Sequence, residues 1–164
     1  MIYRVGLLTI SDRGAKGLRT DTSGPLLAQR IVRLPGQIDR QGIVPDDIEA
    51  IRKWLLHAAD HDSLDLVLTT GGTGLAPSDV TPEATLSVIE RIVPGLSEIL
   101  RMEGYRKSPY AILSRAVAGV RGRTLMINLP GSPRAVLEGL EILMPILPHA
   151  LDKMKGDLSD CGSS

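Results

Sequence analysis

The sequence predicts an α/β fold, a three-layer sandwich with a mostly parallel central sheet. Two observations carry this. Near-continuous apolar runs alternate with segments of helical periodicity, as expected for strands covered on both faces and joined by helices. The 164 residues also suit one domain able to bury roughly 70% of its unfolded surface. No repeat, linker or low-complexity stretch divides the chain, so residues 1–156 are expected to form the domain and 157–164 a polar, fraying tail.

The elements follow in order. Ile2 to Ile10 carries Val5, Leu7, Leu8 and Ile10 and reads as a buried strand. Thr22 to Arg33 reads as a helix, with Leu26, Leu27, Ile31 and Leu34 facing inward. Gln37 to Val44 is a more polar β run, suited to a sheet edge. From Asp46 to Ala59 a helix places Ile48, Ile51, Leu55 and Ala59 on one face, with Trp54 packing beside them. Leu64 to Thr70 is a strand leading into Gly71-Gly72-Thr73-Gly74. Pro82 to Ile92 reads as a helix striped by Leu86, Ile89 and Ile92, and Leu96 to Arg106 as another, set apart by Pro94-Gly95. Thr124 to Leu129 is the last strand. It ends in Pro130-Gly131-Ser132-Pro133 and a helix bearing Val136, Leu137, Leu140 and Met144, after which Pro145 and Pro148 interrupt the path before a final turn or two up to Lys155.

Composition narrows the function. There is no Phe, one Trp and three Tyr, so the core is built from Leu, Ile, Val and Ala, and stacking platforms for single-stranded nucleic acid are largely excluded. Basic and acidic residues balance at 19 each, leaving no overall field toward nucleic acid or an anionic membrane. An anionic ligand must then be held by local donors or a metal. The lone Cys161 allows no internal disulfide and fits a reducing compartment as a solvated tail residue. The amino terminus lacks signal-peptide character and no segment reaches the ~20 apolar residues of a spanning helix, so a cytoplasmic protein is expected.

The most informative stretch is Thr69 to Thr85. It places a strand, a glycine loop, Asp79 and a helix start (Thr81 as N-cap, Pro82 as first helical residue) within seventeen positions. Glycines let a phosphate approach backbone N–H groups closely. A carboxylate in the same loop would repel a bare phosphate, which suggests a bridging Mg²⁺. Ser132-Pro133 repeats the capped helix start, and Thr9 to Arg13 forms a third polar strand end. Ligands bind open parallel sheets at these carboxyl ends. Asp46 and Asp47 either cap their helix or, for Asp46, join Asp79 in holding Mg²⁺. Neither a P-loop nor a Gly-x-Gly-x-x-Gly fingerprint is present. His57 and His61 have the i, i+4 spacing of a metal pair but read as surface residues, and His149 stands alone. Arg115 is a candidate phosphate contact.

LTISDRGAKG at 8–17, VPDD at 44–47, LTTGGTGLAPSDVTPEAT at 68–85, AILSRAVAGVRG at 111–122 and NLPGSP at 128–133 resemble the MogA/MoaB family of molybdopterin-binding proteins. The similarity runs from about Tyr3 to Cys161. The resemblance implies a molybdopterin-binding-like fold and a molybdopterin adenylyltransferase, joining the molybdopterin phosphate to the AMP part of ATP with release of pyrophosphate and with Mg²⁺ as metal. It implies Asp46 and Asp79 as the essential, metal-holding aspartates, and Thr70, Gly71, Gly72, Thr73 and Gly74 as the ligand loop. Ser11, Asp12, Ser114, Arg115, Pro130, Gly131, Ser132 and Pro133 fall in segments lining the same pocket. It also implies a homo-oligomer, trimer or hexamer, with a molybdenum-insertion protein as a further partner. A module that binds or carries molybdopterin without chemistry is the alternative.

Overall fold

The computed structural model describes residues 2–157, so Cys161 and nearly all of the predicted tail lie outside the described residues. The elements run β1 (Tyr3–Ile10), α1 (Asp12–Ala15), α2 (Ser23–Ile31), β2 (Gly36–Val44), α3 (Ile48–Asp60), β3 (Leu66–Thr70), α4 (Thr81–Leu86), β4 (Arg91–Ile92) and α5 (Pro94–Tyr105). A 3-10 helix (Pro109–Leu113), β5 (Ala118–Arg121), β6 (Thr124–Leu129), α6 (Pro133–Leu143) and α7 (Leu147–Met154) complete them. One six-stranded sheet has the order β2-β1-β3-β6-β5-β4. Its first four strands are parallel, and β5 and β4 extend it antiparallel.

The sheet is covered on both faces, which confirms the three-layer α/β architecture. Tyr3, Val5 and Leu7 of β1, with Leu66, Leu68 and Ile127, pack under α2, α5, α6 and α7. Leu8, Ile10, Val67 and Met126 pack under α3 and α4. This alternation on strands buried on both sides explains why the sequence shows continuous apolar runs. Each fully buried Leu or Ile contributes ~1.5–3 kcal/mol of transfer free energy. The polar β2 lies at the sheet edge, as its composition predicts.

Several elements differ from the sequence reading for physical reasons. The helix expected to reach Ile92 stops at Leu86, and Leu86 and Ile92 are exposed. Instead Glu90 N–H donates to Val120 O and Val93 N–H to Ala118 O, both at 2.8 Å, so pairing with β5 replaces further helix. The next helix opens at Pro94 and the last contains Pro148 in its first turn, where a missing N–H costs nothing. On α3 the buried face is Ile51, Trp54, Leu55 and Ala58, while Ile48 turns outward. The short α1 and β5 escape detection because neither spans a full period of apolar pattern. The β5–β6 hairpin turns through Gly122 at φ 53°.

Candidate active site

The connection leaving β1 goes to one side of the sheet and the connection entering β3 crosses to the other, so their carboxyl ends form the switch-point crevice. Here β3 runs into Gly71 and Gly72, at φ 101° and 65°. A methyl group on Gly71 would drive into the Ile10 carbonyl oxygen, and one on Gly72 into the Thr81 hydroxyl, so only glycine fits either place. The loop is braced on all sides. Thr81 Oγ1 donates to Gly71 O at 2.9 Å, Thr70 Oγ1 to Pro130 O at 2.7 Å, and Gly71 N–H to Leu129 O at 3.2 Å. Thr81 is therefore the first residue of α4 rather than its cap, because its hydroxyl holds the loop.

Two cavities of similar size flank this loop. The first, about 420 Å³, lies over the ends of β1 and β3 and contains Asp21, Asp46 and Asp79 with Ser11, Thr70, Gly71 and Gly72. The second, about 450 Å³, opens between α5, the 3-10 helix and the start of α6, and takes in Thr73, Gly74, Ser114 and Pro130 with apolar Leu100 and Leu113. Ser132 lines both, Gly131 only the first. Its Oγ accepts from Ala135 N–H at 3.2 Å, the predicted cap, so the electropositive start of α6 faces the junction.

The two adjacent aspartates after β2 divide their work. Asp47 Oδ2 accepts from Ala50 N–H at 2.8 Å and caps α3. Asp46 is thereby released to the cavity, where its Oδ2 accepts from Asp12 N–H at 2.9 Å. Burial pushes the Asp46 carboxyl above its usual range, the Asp12 amide opposes this, and the charges of Asp12 and Asp79 add to it. Asp79 Oδ2 accepts from Ala76 N–H at 2.9 Å. Each carboxylate thus keeps a second oxygen for a ligand. Among the described residues no group of three or more His, Cys, Asp or Glu side chains forms a metal cage. Two carboxylates completed by substrate phosphates and water are nonetheless the oxygen donor set that Mg²⁺ takes.

Of the residues singled out in the sequence, Asp12, Arg115 and Pro133 line neither cavity. Asp12 acts through Asp46, and Arg115 binds the chain itself: its Nε donates to Gly74 O at 2.8 Å. His57 and His61 stack with ring centroids 4.8 Å apart along α3, away from the loops. Sequence reading missed Asp21, whose Oδ1 accepts from the Ser23 and Gly24 N–H groups at 3.1 Å and whose Oδ2 accepts from Thr9 Oγ1 at 2.7 Å. The signal was an aspartate two residues before Ser23-Gly24-Pro25, a helix-start signature one step outside the cap position. Arg101 of α5 also went unnoticed, since nothing in the sequence marks which face of that helix meets Ser114.

The family model described as "Probable molybdopterin binding domain" matches residues 6–149. The MoaB molybdopterin biosynthesis enzyme of Thermus thermophilus superposes with a TM-score of 0.90 at 51% identity, covering 94% of this chain and 98% of that one. The molybdopterin adenylyltransferase of Helicobacter pylori is 40% identical over 156 residues, 93% of this chain and 88% of that protein. The molybdenum cofactor synthesis protein cinnamon of Drosophila melanogaster is 43% identical over 155 residues, which are 94% of this chain but only 26% of that longer protein. With residues 6–149 matched by the family model and the whole fold superposing closely, this chain belongs to the molybdopterin-binding domain family that includes MogA and MoaB.

Proposed function

We propose that this protein is a Mg²⁺-dependent molybdopterin adenylyltransferase. The observation that carries the reading is the pair of abutting cavities, one acidic and one partly apolar, divided by a single glycine loop. A group transfer between two bulky substrates needs such adjoining subsites, and a simple carrier needs only one. The name of the 40%-identical relative from Helicobacter pylori points the same way.

In this reading an oxygen of the molybdopterin phosphate attacks the α-phosphorus of ATP in line. The bond from that phosphorus to the β-phosphate oxygen breaks, and pyrophosphate leaves with the electron pair. The protein's task is positioning and charge balance. Asp46 and Asp79 would hold Mg²⁺, which supplies charge neutralisation of the triphosphate. The Gly71–Gly74 backbone and the start of α6 orient phosphates at the junction, and Ser11, Ser114 and Ser132 offer hydroxyl contacts around it. The same reading has the protein working as a homo-oligomer in the cytoplasm and delivering its product to a molybdenum-insertion protein.

The test is incubation with molybdopterin, ATP and Mg²⁺, read by mass spectrometry for adenylylated pterin and pyrophosphate. Product is expected. Bound pterin without product, under conditions where the Helicobacter pylori relative turns over, would make this a carrier.

A further inference from the structure

Arg115 follows Ser114, which lines the partly apolar cavity, yet the Arg115 side chain bonds the Asp79 carbonyl, whose residue lines the acidic one. Its backbone N–H donates to Thr73 O at 2.8 Å. Its Nε donates to Gly74 O at 2.8 Å and Nη2 to Asp79 O at 2.6 Å, while Nη1 pairs with Glu83 at the start of α4. All three guanidinium nitrogens therefore engage the chain between Gly74 and Glu83. Arg101 in turn secures the Ser114–Ala116 stretch that carries Arg115, donating to Ala116 O at 2.9 Å and Ser114 O at 3.3 Å.

This matters because, among the described residues, the other hydrogen bonds of Asp79 lie within its own turn, whereas Arg115 reaches it from a distant part of the chain. The Asp79 carboxylate accepts from the Ala76 amide and the Asp79 N–H donates to Ala76 O at 2.9 Å, both within one short turn, and Leu75 to Ser78 are exposed. A planar fork spreads its donors over three nitrogens in fixed directions and so spans two carbonyls and a carboxylate, whereas a lysine offers all its donors from one nitrogen. The pairing also holds the Glu83 carboxyl below its ordinary range, chiefly through the hydrogen bond to Arg115. We propose that Arg115 is the positioning residue that fixes Asp79 in the acidic cavity, by fastening the Gly74 and Asp79 carbonyls to the Ser114–Ala116 segment. The turnover part of this inference rests on the adenylyltransferase reading; the positioning part does not.

The experiment compares wild type with Arg115→Ala and Arg115→Lys by hydrogen–deuterium exchange, Mn²⁺ affinity in electron paramagnetic resonance, and steady-state kinetics. Exchange across 73–80 should quicken about tenfold or more in both variants while β1, β3 and β6 stay protected. Mn²⁺ binding should weaken severalfold. A displaced carboxylate should cost on the order of 100-fold in kcat with KM for either substrate changed less than about threefold, and free guanidinium should restore part of the turnover of Arg115→Ala. Unchanged exchange and kcat would overturn the proposal, as would a raised KM with intact kcat, which would mark Arg115 as a substrate contact. If the wild-type protein makes no adenylylated pterin, the adenylyltransferase reading falls. Exchange and Mn²⁺ affinity then decide on Arg115, and wild-type values of both overturn its role. Should Arg115→Ala fail to fold, Arg115→Lys is read by the same criteria.

Discussion

Asp12 and Asp46 hold each other by reciprocal hydrogen bonds: Asp46 Oδ2 accepts from the Asp12 N–H and Asp12 Oδ1 from the Asp46 N–H, both at 2.9 Å. The loops after β1 and β2 are locked together by this pair, at the electrostatic expense of two carboxylates beside Asp79.

The first prediction follows from that crowding. The folded-state pKa of Asp46 lies above its unfolded value, so the folded chain binds more protons in the window between them, and stability falls as pH rises through it. Ionised Asp46 is destabilising at neutral pH. Asp46→Asn, which keeps an acceptor for the Asp12 amide, should therefore melt higher than wild type at pH 7 in metal-free buffer. Calorimetry should show the gap closing as pH falls toward the ordinary carboxylate range. Turnover should be lost nonetheless.

Asp79→Asn separates fold from chemistry. The amide oxygen can still accept from Ala76 N–H, so the melting temperature should stay near wild type. Loss of a metal-holding charge should lower kcat by about 100-fold or more. Wild-type turnover in this variant would remove Asp79 from the mechanism.

Asn128 ties α4 to the sheet and should dominate local stability. It is fully buried, its Nδ2 donates to Thr69 Oγ1 and Thr85 Oγ1 at 3.0 Å, and its Oδ1 accepts from Val117 N–H at 3.2 Å. Asn128→Leu leaves these groups without their partner and should cost ~2–4 kcal/mol in urea denaturation.

Tyr3 fastens the far pole of the sheet to α7, donating to Asp152 Oδ1 at 2.9 Å. Burial first, then Asp152, pushes its phenol from 10.0 up to about 12. Its contribution is complete below pH 10 and disappears as pH rises toward 12. Tyr3→Phe should lose ~1 kcal/mol at pH 8 and lose less further stability than wild type across that alkaline window, by equilibrium unfolding at each pH.

The parallel half of the molecule was legible because two-sided burial writes itself into continuous apolar runs such as Val5 to Ile10. The glycine loop was legible because Gly71 and Gly72 adopt backbone conformations that other residues resist. The antiparallel edge was not, since β5 is four residues long and its partner β4 only two. Asp46 and Asp79 stood out, but their neighbourhood emerges only when β1 brings β2 and β3 together. The role of Arg115 was hidden for a related reason: its partners are mostly backbone carbonyls, which no side-chain pattern encodes.

The turn at Gly122 joins the amino-terminal end of β6 to β5, at the pole opposite the carboxyl ends that carry both cavities. Gly122 itself must stay glycine at φ 53°, but Arg123 beside it is exposed. That makes the hairpin tip a natural handle: a reporter dye, an affinity tag or a tether to a surface attached there would leave the substrate entrances open, so binding at each cavity can be followed on a protein held from behind.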